Sequence, residues 1–357
     1  MTRNALLIFA STPLLLAPLI GCASNSPQRE EVAATEYKPA DPVAASRLRE
    51  RFIAVLEAAA VSETALFRAN ALEALHPTPS RVEPLARVAL RDENLGVRYA
   101  AAVTIGKLKL AACADDVETL LRDPSKVVRA AAIYALTRLG RPVDQSLLAT
   151  MLLEGAPRER MQAAFLLGEI GNESAIPMLR DAAENDVPSA TVPEMRILRL
   201  QIAEALAKLG DPAAFETIRA SLFPARPDEL ESAALAAQII GEVGDRRAID
   251  QLIYLTAQSG DDRLPAEIRL AAAGSLASLG ERNGSFIADE YVDDDLPAIR
   301  AQAAYVYGEI GMTENLPRLE QMLSDPAGIV RLAAAAAGLK ILEQPHSARS
   351  MAGSAGR

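Results

Sequence analysis

Apolar and polar positions along this chain repeat on two scales. Within each stretch of a dozen or so residues the apolar positions fall three and four apart, the spacing of a helix with one buried face. The stretches themselves recur about every 31 residues, room for two helices and two turns. A chain of 357 residues would ordinarily suggest two compact domains, but the repeat overrides that expectation and predicts one array of stacked helix pairs.

The marker of the repeat is an arginine after Val or Ile, followed by paired alanines. It stands at Val97-Arg98, Val128-Arg129, Ile268-Arg269, Ile299-Arg300 and Val330-Arg331, with weaker copies at Arg68, Arg160, Arg199 and Ala233. Eleven residues later a glycine recurs, at Gly140, Gly171, Gly210, Gly244, Gly280 and Gly311. Glycine at a helix end takes the left-handed conformation that satisfies the last carbonyls, so each of these positions predicts a helix stop. Asn172, Asp211 and Asp245 follow directly as predicted caps of the next helix. Each repeat therefore reads as a helix B, a glycine stop, a polar cap, a helix A and a short turn. Neither helix can bury its apolar face alone, so the repeats must stack.

A second column lies six residues before the arginine: Asp92 before Arg98, Asp123 before Arg129, Asp294 before Arg300 and Asp325 before Arg331. An acid there favours the positive end of helix B, and the arginine is placed to reach the acid of a neighbouring repeat. A charge pair present in repeat after repeat predicts a structural ladder.

These residues resemble HEAT repeats, specifically the short bacterial type called PBS-lyase HEAT-like repeats. The resemblance implies an all-α protein, an α-solenoid of about nine helix pairs whose B helices line the concave side. It spans roughly Ser46 to Leu342, and we place the solenoid at 45–343 with a tail at 344–357. Relatives include subunits that attach or detach bilin chromophores, but no lyase residue maps onto this chain, and fold alone does not carry function.

Composition agrees with closely packed helices. Hydrophobic residues make up 50 % and charged residues 24 %, while aromatics are only 4 % with no Trp, so Ala, Leu, Ile and Val must fill the core. A mean hydropathy of +0.10 is too low for a polytopic membrane protein. With 37 Lys and Arg against 47 Asp and Glu, net charge −10, the chain lacks the basic excess that binds nucleic acid.

The N-terminus has its own pattern. Residues 1–21 combine Arg3 with an apolar run from Ala5 to Ile20 broken by Pro13 and Pro18, which predicts an export signal rather than a membrane span. The run ends in Leu19-Ile20-Gly21-Cys22, similar to the bacterial lipobox, which implies a diacylglyceryl group on Cys22 and cleavage before it. Residues 22–44, rich in Ala, Ser, Pro and Glu, read as a linker. The expected location is the extracytoplasmic side of the cell envelope, held to the membrane by lipid. By the same resemblance, Ala23 after the cysteine favours an outer membrane.

Catalytic chemistry is sparse. His76 and His346 have no second ligand at helical spacing, and neither GxSxG, GxxxxGK[ST] nor GxGxxG occurs. Cys113 reads as a small buried residue, and the acids Asp289, Glu290, Asp293, Asp294 and Asp295 read as solvated caps rather than a calcium site. No enzyme, cofactor or metal is expected.

The remaining candidate surface lies two, five and nine residues past the arginine, opposite the core stripe at 100° per residue. It comprises Tyr134, Arg138, Gln162, Phe165, Glu169, Gln201, Glu204, Gln238, Glu242, Gln302, Tyr305 and Glu309. Lining a concave face, these aromatics and amides would grip another protein. Insertions at 185–193, 223–229 and 260–266, each between a helix A and the next helix B, read either as one functional rim or as neutral loop drift. The expectation is a lipid-anchored scaffold or adaptor binding an unidentified protein. A structural spacer without a ligand and an accessory subunit of an enzyme are the alternatives.

Overall fold

The structure, a computed structural model, describes residues 42–260 and 263–343. The expected export signal with Cys22, most of the expected linker and the 344–357 segment lie outside the described residues. Eighteen α-helices follow one another as nine pairs among them, with no strand. In chain order these are α1 (Pro42–Ala60) with α2 (Ala65–Ala74), α3 (Pro79–Ala89) with α4 (Leu95–Leu108), α5 (Ala114–Thr119) with α6 (Lys126–Arg138), α7 (Ser146–Glu154) with α8 (Pro157–Ile170), and α9 (Ile176–Glu184) with α10 (Val192–Lys208). Then come α11 (Pro212–Ala220) with α12 (Leu230–Val243), α13 (Ile249–Ala257) with α14 (Ala266–Ser278), α15 (Ser285–Tyr291) with α16 (Pro297–Ile310), and α17 (Leu316–Met322) with α18 (Gly328–Glu343). Odd-numbered helices are the A helices and even-numbered ones the B helices. Helix α1 begins at Pro42, so the last three residues assigned to the linker are helical.

The glycine stops form as the spacing predicts. Gly140, Gly171, Gly210, Gly244, Gly280 and Gly311 all have φ between 70° and 94°. The copy that starts at Arg98 has no glycine at this position, and Lys109 takes the left-handed conformation instead, with φ 52°. Asn172, Asp211 and Asp245 accept from the backbone N–H two residues on, as caps do. The longest insertion, 185–193, ends in a reciprocal capping box: Thr191 Oγ1 accepts from Glu194 N, and Glu194 Oε2 accepts from Thr191 N at 2.8 Å.

The Asp–Arg ladder is present but interrupted. Arg68 grips Asp92 through two hydrogen bonds of 2.7 and 2.8 Å, Arg98 grips Asp123 at 2.7 and 3.1 Å, and Arg300 grips Asp325 at 2.8 and 2.9 Å. In four repeats the arginine also donates to the carbonyl of the aspartate six residues back: Arg98 to Asp92, Arg129 to Asp123, Arg300 to Asp294 and Arg331 to Asp325. Arg129 has no rung because the next repeat carries Glu154-Gly155 where the aspartate should be. Asp294 has none because Arg269 turns to Glu290 and the Tyr291 hydroxyl. Arg331 belongs to the last repeat and bonds only carbonyls. On the opposite edge, where B helices end, Arg180 reaches the capping Asp211 at 2.8 Å and Arg219 reaches Asp245.

Stacking runs mainly through the B helices, and a further glycine column, unforeseen from the sequence, explains how closely. Gly106, Gly168, Gly241 and Gly308 sit where a Cβ would come 2.9 Å from the Cα of Ala135, Ala205, Ser275 and Ala337 on the following B helix. The inner helices thus seat as doublets, α4 on α6, α8 on α10, α12 on α14 and α16 on α18, with small residues at each contact.

This crowding curls the array until its ends meet. Helix α18 packs against α1 and also touches α2. The Phe52 ring, fully buried, occupies the space a side chain at Gly338 would need, and Phe67 sits in the same way over Gly328. Arg49 with Glu343 and Arg51 with Glu320 add ion pairs across the seam. The solenoid is a closed ring, B helices inside and A helices outside. No helix among the described residues is long and apolar enough to cross a membrane.

Closure should therefore depend on the Phe52 seat. Gly338→Val places a branched side chain where the buried ring lies, an overpacking cost of about 1–3 kcal/mol. We expect a larger radius of gyration by small-angle scattering and faster proteolysis within α1, with helicity nearly unchanged. A radius and cleavage pattern equal to wild type would show that the ring closes without this seat.

Candidate functional site

Closure changes the meaning of the inner stripe. Tyr134 has no exposed surface, and Phe165, Gln162, Gln201 and Gln302 are 5 to 8 % exposed. These residues were expected on an open concave face. They are interior instead, because B helices that approach at the Gly106, Gly168, Gly241 and Gly308 contacts leave too small a radius for a groove.

The residues nine past the arginine column converge near the axis, and their charges interlock. Lys208 Nζ lies 2.7 Å from Glu169, 2.6 Å from Glu204 and 3.8 Å from Glu242. Lys107 Nζ lies 3.7 Å from Glu169 on the other side. The Phe165 ring sits between the two ammonium groups, 5.6 Å from Lys107 and 5.5 Å from Lys208. Arg138 directs a guanidinium N–H toward the Glu169 carbonyl at 3.5 Å. Burial disfavours the Lys208 charge, but Glu204, Glu169 and Glu242 outweigh it and hold its pKa above the ordinary lysine value. Glu169 is likewise held below the ordinary range, burial being overcome by Lys208 and Lys107.

Beside this plug lies a cavity of about 340 Å³ between α2, α12, α14, α16 and α18. Gln238, Glu242, Gln302, Tyr305 and Glu309 of the predicted stripe line it, joined by Glu73, His76 and Lys340, which sequence reasoning left out. Lys107 and Lys340 occupy the same ninth position as Arg138 and Glu169, so that column's charges were readable. Glu73 and His76 reach the site only because the ring closes. Lys340 Nζ pairs with Glu309 at 2.6 Å. His76 Nε2 lies 3.0 Å from Thr104 Oγ1, and burial, with Lys107 nearby, pushes its pKa down to about 3, so the imidazole is neutral. Glu242 is raised to about 8 by burial, which the pull of Lys208 only partly offsets.

The other chemistry-bearing residues have structural partners. Cys113 is buried, and burial raises its thiol pKa. The acids near 290 are not simply solvated caps: Glu290 takes Arg263 and Arg269, Asp293 takes Arg318, and Asp289 accepts from the Tyr307 hydroxyl at 2.5 Å, while Asp294 alone caps, at Leu296 N. Among the described residues, no three His, Cys, Asp or Glu side chains cluster as a metal set.

On the outside, the exposed aromatics of the described residues are Phe223, Tyr254 and Phe286, at 46, 56 and 54 %. They stand just after α11, on α13 and on α15, three consecutive outer helices. The Phe223 and Tyr254 rings meet edge to face with centroids 5.9 Å apart. Ile253 extends the patch, 47 % exposed. Two of the three insertions, 223–229 and 260–266, border the same segment.

HEAT repeats match residues 50–137 and 82–163, and PBS lyase HEAT-like repeats match 159–185 and 198–223. The protein is an α-solenoid whose residues 50–163 match HEAT repeats. Its later copies include repeats of the PBS lyase HEAT-like kind. Among solved structures, the complex of CpcE and CpcF of phycocyanin lyase from Nostoc sp. PCC7120 is 20 % identical, with TM-score 0.41, covering 80 % of this chain and 98 % of that one. Human deoxyhypusine hydroxylase is 17 % identical, with TM-score 0.35, covering 85 % and 100 %. The comparison with curated proteins returned no match.

The raised Glu242 makes a signed prediction. Between about pH 4.5 and 8 the folded protein holds a proton there that the unfolded chain has released, so this carboxyl makes stability fall as pH rises through that window. Glu242→Gln should leave the unfolding temperature near wild type at pH 5 and raise it at pH 9. Parallel melting-temperature profiles across that range would refute the assignment.

Proposed function

We propose that this protein is a membrane-tethered adaptor that holds another protein against the outer face of its ring, at the rim formed by α11, α13 and α15. The supporting observation is the exposed edge-to-face pair of Phe223 and Tyr254, with Ile253 next to Tyr254 in the chain and Phe286 exposed on the following outer helix. In a chain with 4 % aromatics, these rings stand in water while Phe52, Tyr99, Tyr134 and Tyr307 are buried. Large side chains with few rotors lose little entropy on binding, which suits them as anchors. The matching partner surface is an apolar segment. The concave-face reading is replaced by this rim, which the insertions also border.

The tether rests on Leu19-Ile20-Gly21-Cys22 and the signal-like run before it. Acyl chains contribute about 0.8 kcal/mol per buried methylene, enough for stable anchoring when two or more are attached. The ring then works on the extracytoplasmic side of the envelope, at the end of a short linker. Intact-mass analysis of the membrane fraction should find an acylated chain starting at Cys22; an unmodified chain starting at Met1 would refute the tether.

For the adaptor, the decisive comparison is crosslinked capture from detergent-solubilised envelopes by wild type and by the Phe223→Ala, Tyr254→Ala double variant. Both substitutions are at the surface, so the melting temperature should move by no more than about 2 °C. A protein retained by wild type and lost with the variant is the expected result. Recovery of the same set by both would favour a spacer that acts through size alone.

A further inference from the structure

The joint where the ring closes is built differently from the others. Elsewhere each inner helix packs against the next, but at the seam α18 packs far more extensively against α1, an outer helix, than against α2. At 19 residues α1 is the longest of the described helices, and no other outer helix has so large a contact with a single neighbour. Its apolar stripe, Leu48, Phe52, Ile53 and Leu56, is buried, and the Phe52 ring fills the place a side chain at Gly338 would need. Helix α1 therefore lies in a bay with α18 as one wall and α2 as the other. The walls also meet directly, where Phe67 of α2 lies over Gly328 of α18.

Charges of opposite sign fix how α1 lies in this bay. Arg49 and Arg51 pair with Glu343 of α18 and Glu320 of α17, while Glu50 and Glu57 pair with Arg81 of α3 at 2.7 and 3.2 Å. None of these partners lies in α2, the helix that follows α1 in the chain. The connection to α2 is the four-residue stretch Val61 to Thr64, in which Val61 is 72 % exposed and Glu63 and Thr64 are also exposed. Helix α1 is thus a terminal arm on a short exposed hinge, and its most extensive contact is with the far end of the array. An arm that leaves its own bay and enters the same bay of another copy regains every contact it gave up, so the balance between the two states is set by chain concentration and by the hinge.

We propose that α1 is an exchangeable arm, and that the bay between α18 and α2 accepts α1 from a second copy of this chain, which gives a reciprocal two-fold dimer. The charge pattern selects this occupant: a helix that presents Phe52 to Gly338 while matching Glu343 and Glu320 with arginines and Arg81 with glutamates is α1 itself. The exchange is independent of the outer aromatic rim, so each can fail without the other.

The test uses the full chain, with a fluorescent peptide of residues 42–60 as probe. Wild type, its bay filled by its own arm, should bind the peptide weakly. Phe52→Ala in the full chain removes the arm's buried ring and leaves the bay's own residues unchanged, so peptide affinity by fluorescence anisotropy should rise at least about tenfold. A peptide carrying Phe52→Ala should not bind, and neither should the wild-type peptide to a Phe52→Ala, Gly338→Val chain. A second variant tests exchange between chains directly. Deleting Ser62 and Glu63 shortens the hinge so that the arm no longer folds back on its own bay, and light scattering after size-exclusion chromatography should then give twice the monomer mass. Adding Phe52→Ala to that deletion should restore the monomer, with circular dichroism confirming that each variant folds. No gain in peptide affinity in the Phe52→Ala chain, equal binding of the two peptides, or a monomeric hinge deletion would each overturn the proposal.

Discussion

The interaction on which this architecture depends is the contact between neighbouring inner helices at Gly106, Gly168, Gly241 and Gly308. With no side chain at these positions, one helix lies directly on the backbone of the next, and the inner layer becomes narrower than the outer one. Curvature follows from that difference in spacing. Larger residues at the same contacts would hold the inner helices apart and open the arc, leaving a superhelix with free ends and an accessible groove. Here the curvature brings α18 onto α1 and α2, and Phe52 fills the remaining gap at Gly338.

Closure has an electrostatic consequence. Side chains that would be solvated on an open concave face are brought together near the axis, where desolvation penalises every charge. The arrangement is tolerable because charges are shared: Lys208 answers three carboxylates, Glu169 answers two lysines, and Phe165 presents its ring to both ammonium groups. Glu242, at the edge of this network, is the member with the weakest compensation, and its raised pKa reflects that position. The cavity begins where the network ends.

Inner and outer faces consequently have different characters. The inside is crowded and polar near the axis. The outside carries two edges of Asp–Arg rungs that hold successive repeats in register, and the aromatic rim lies on it where the insertions lengthen the connections. The proposed contact with a macromolecular partner lies on that outer segment.

Much of this was legible in the residues alone. The arginine column, the glycine stops and the caps at Asn172, Asp211 and Asp245 are local features: each is set by the backbone and side chains within a few residues, and spacing therefore reveals it. The ladder was legible for the same reason, since its partners recur at a constant offset. Closure was not, because it depends on curvature accumulated over nine repeats, a sum of small inter-helix spacings that no single repeat displays. The stripe containing Tyr134, Phe165 and Gln302 was therefore identified correctly as the face opposite the core stripe, but whether that face meets water or another helix was decided by the ring. Glu73 and Lys340, far apart in the chain, became neighbours of one cavity through the same closure. Sequence determined the repeat and the register of its contacts; tertiary structure decided the radius, and with it which surfaces remained available for binding.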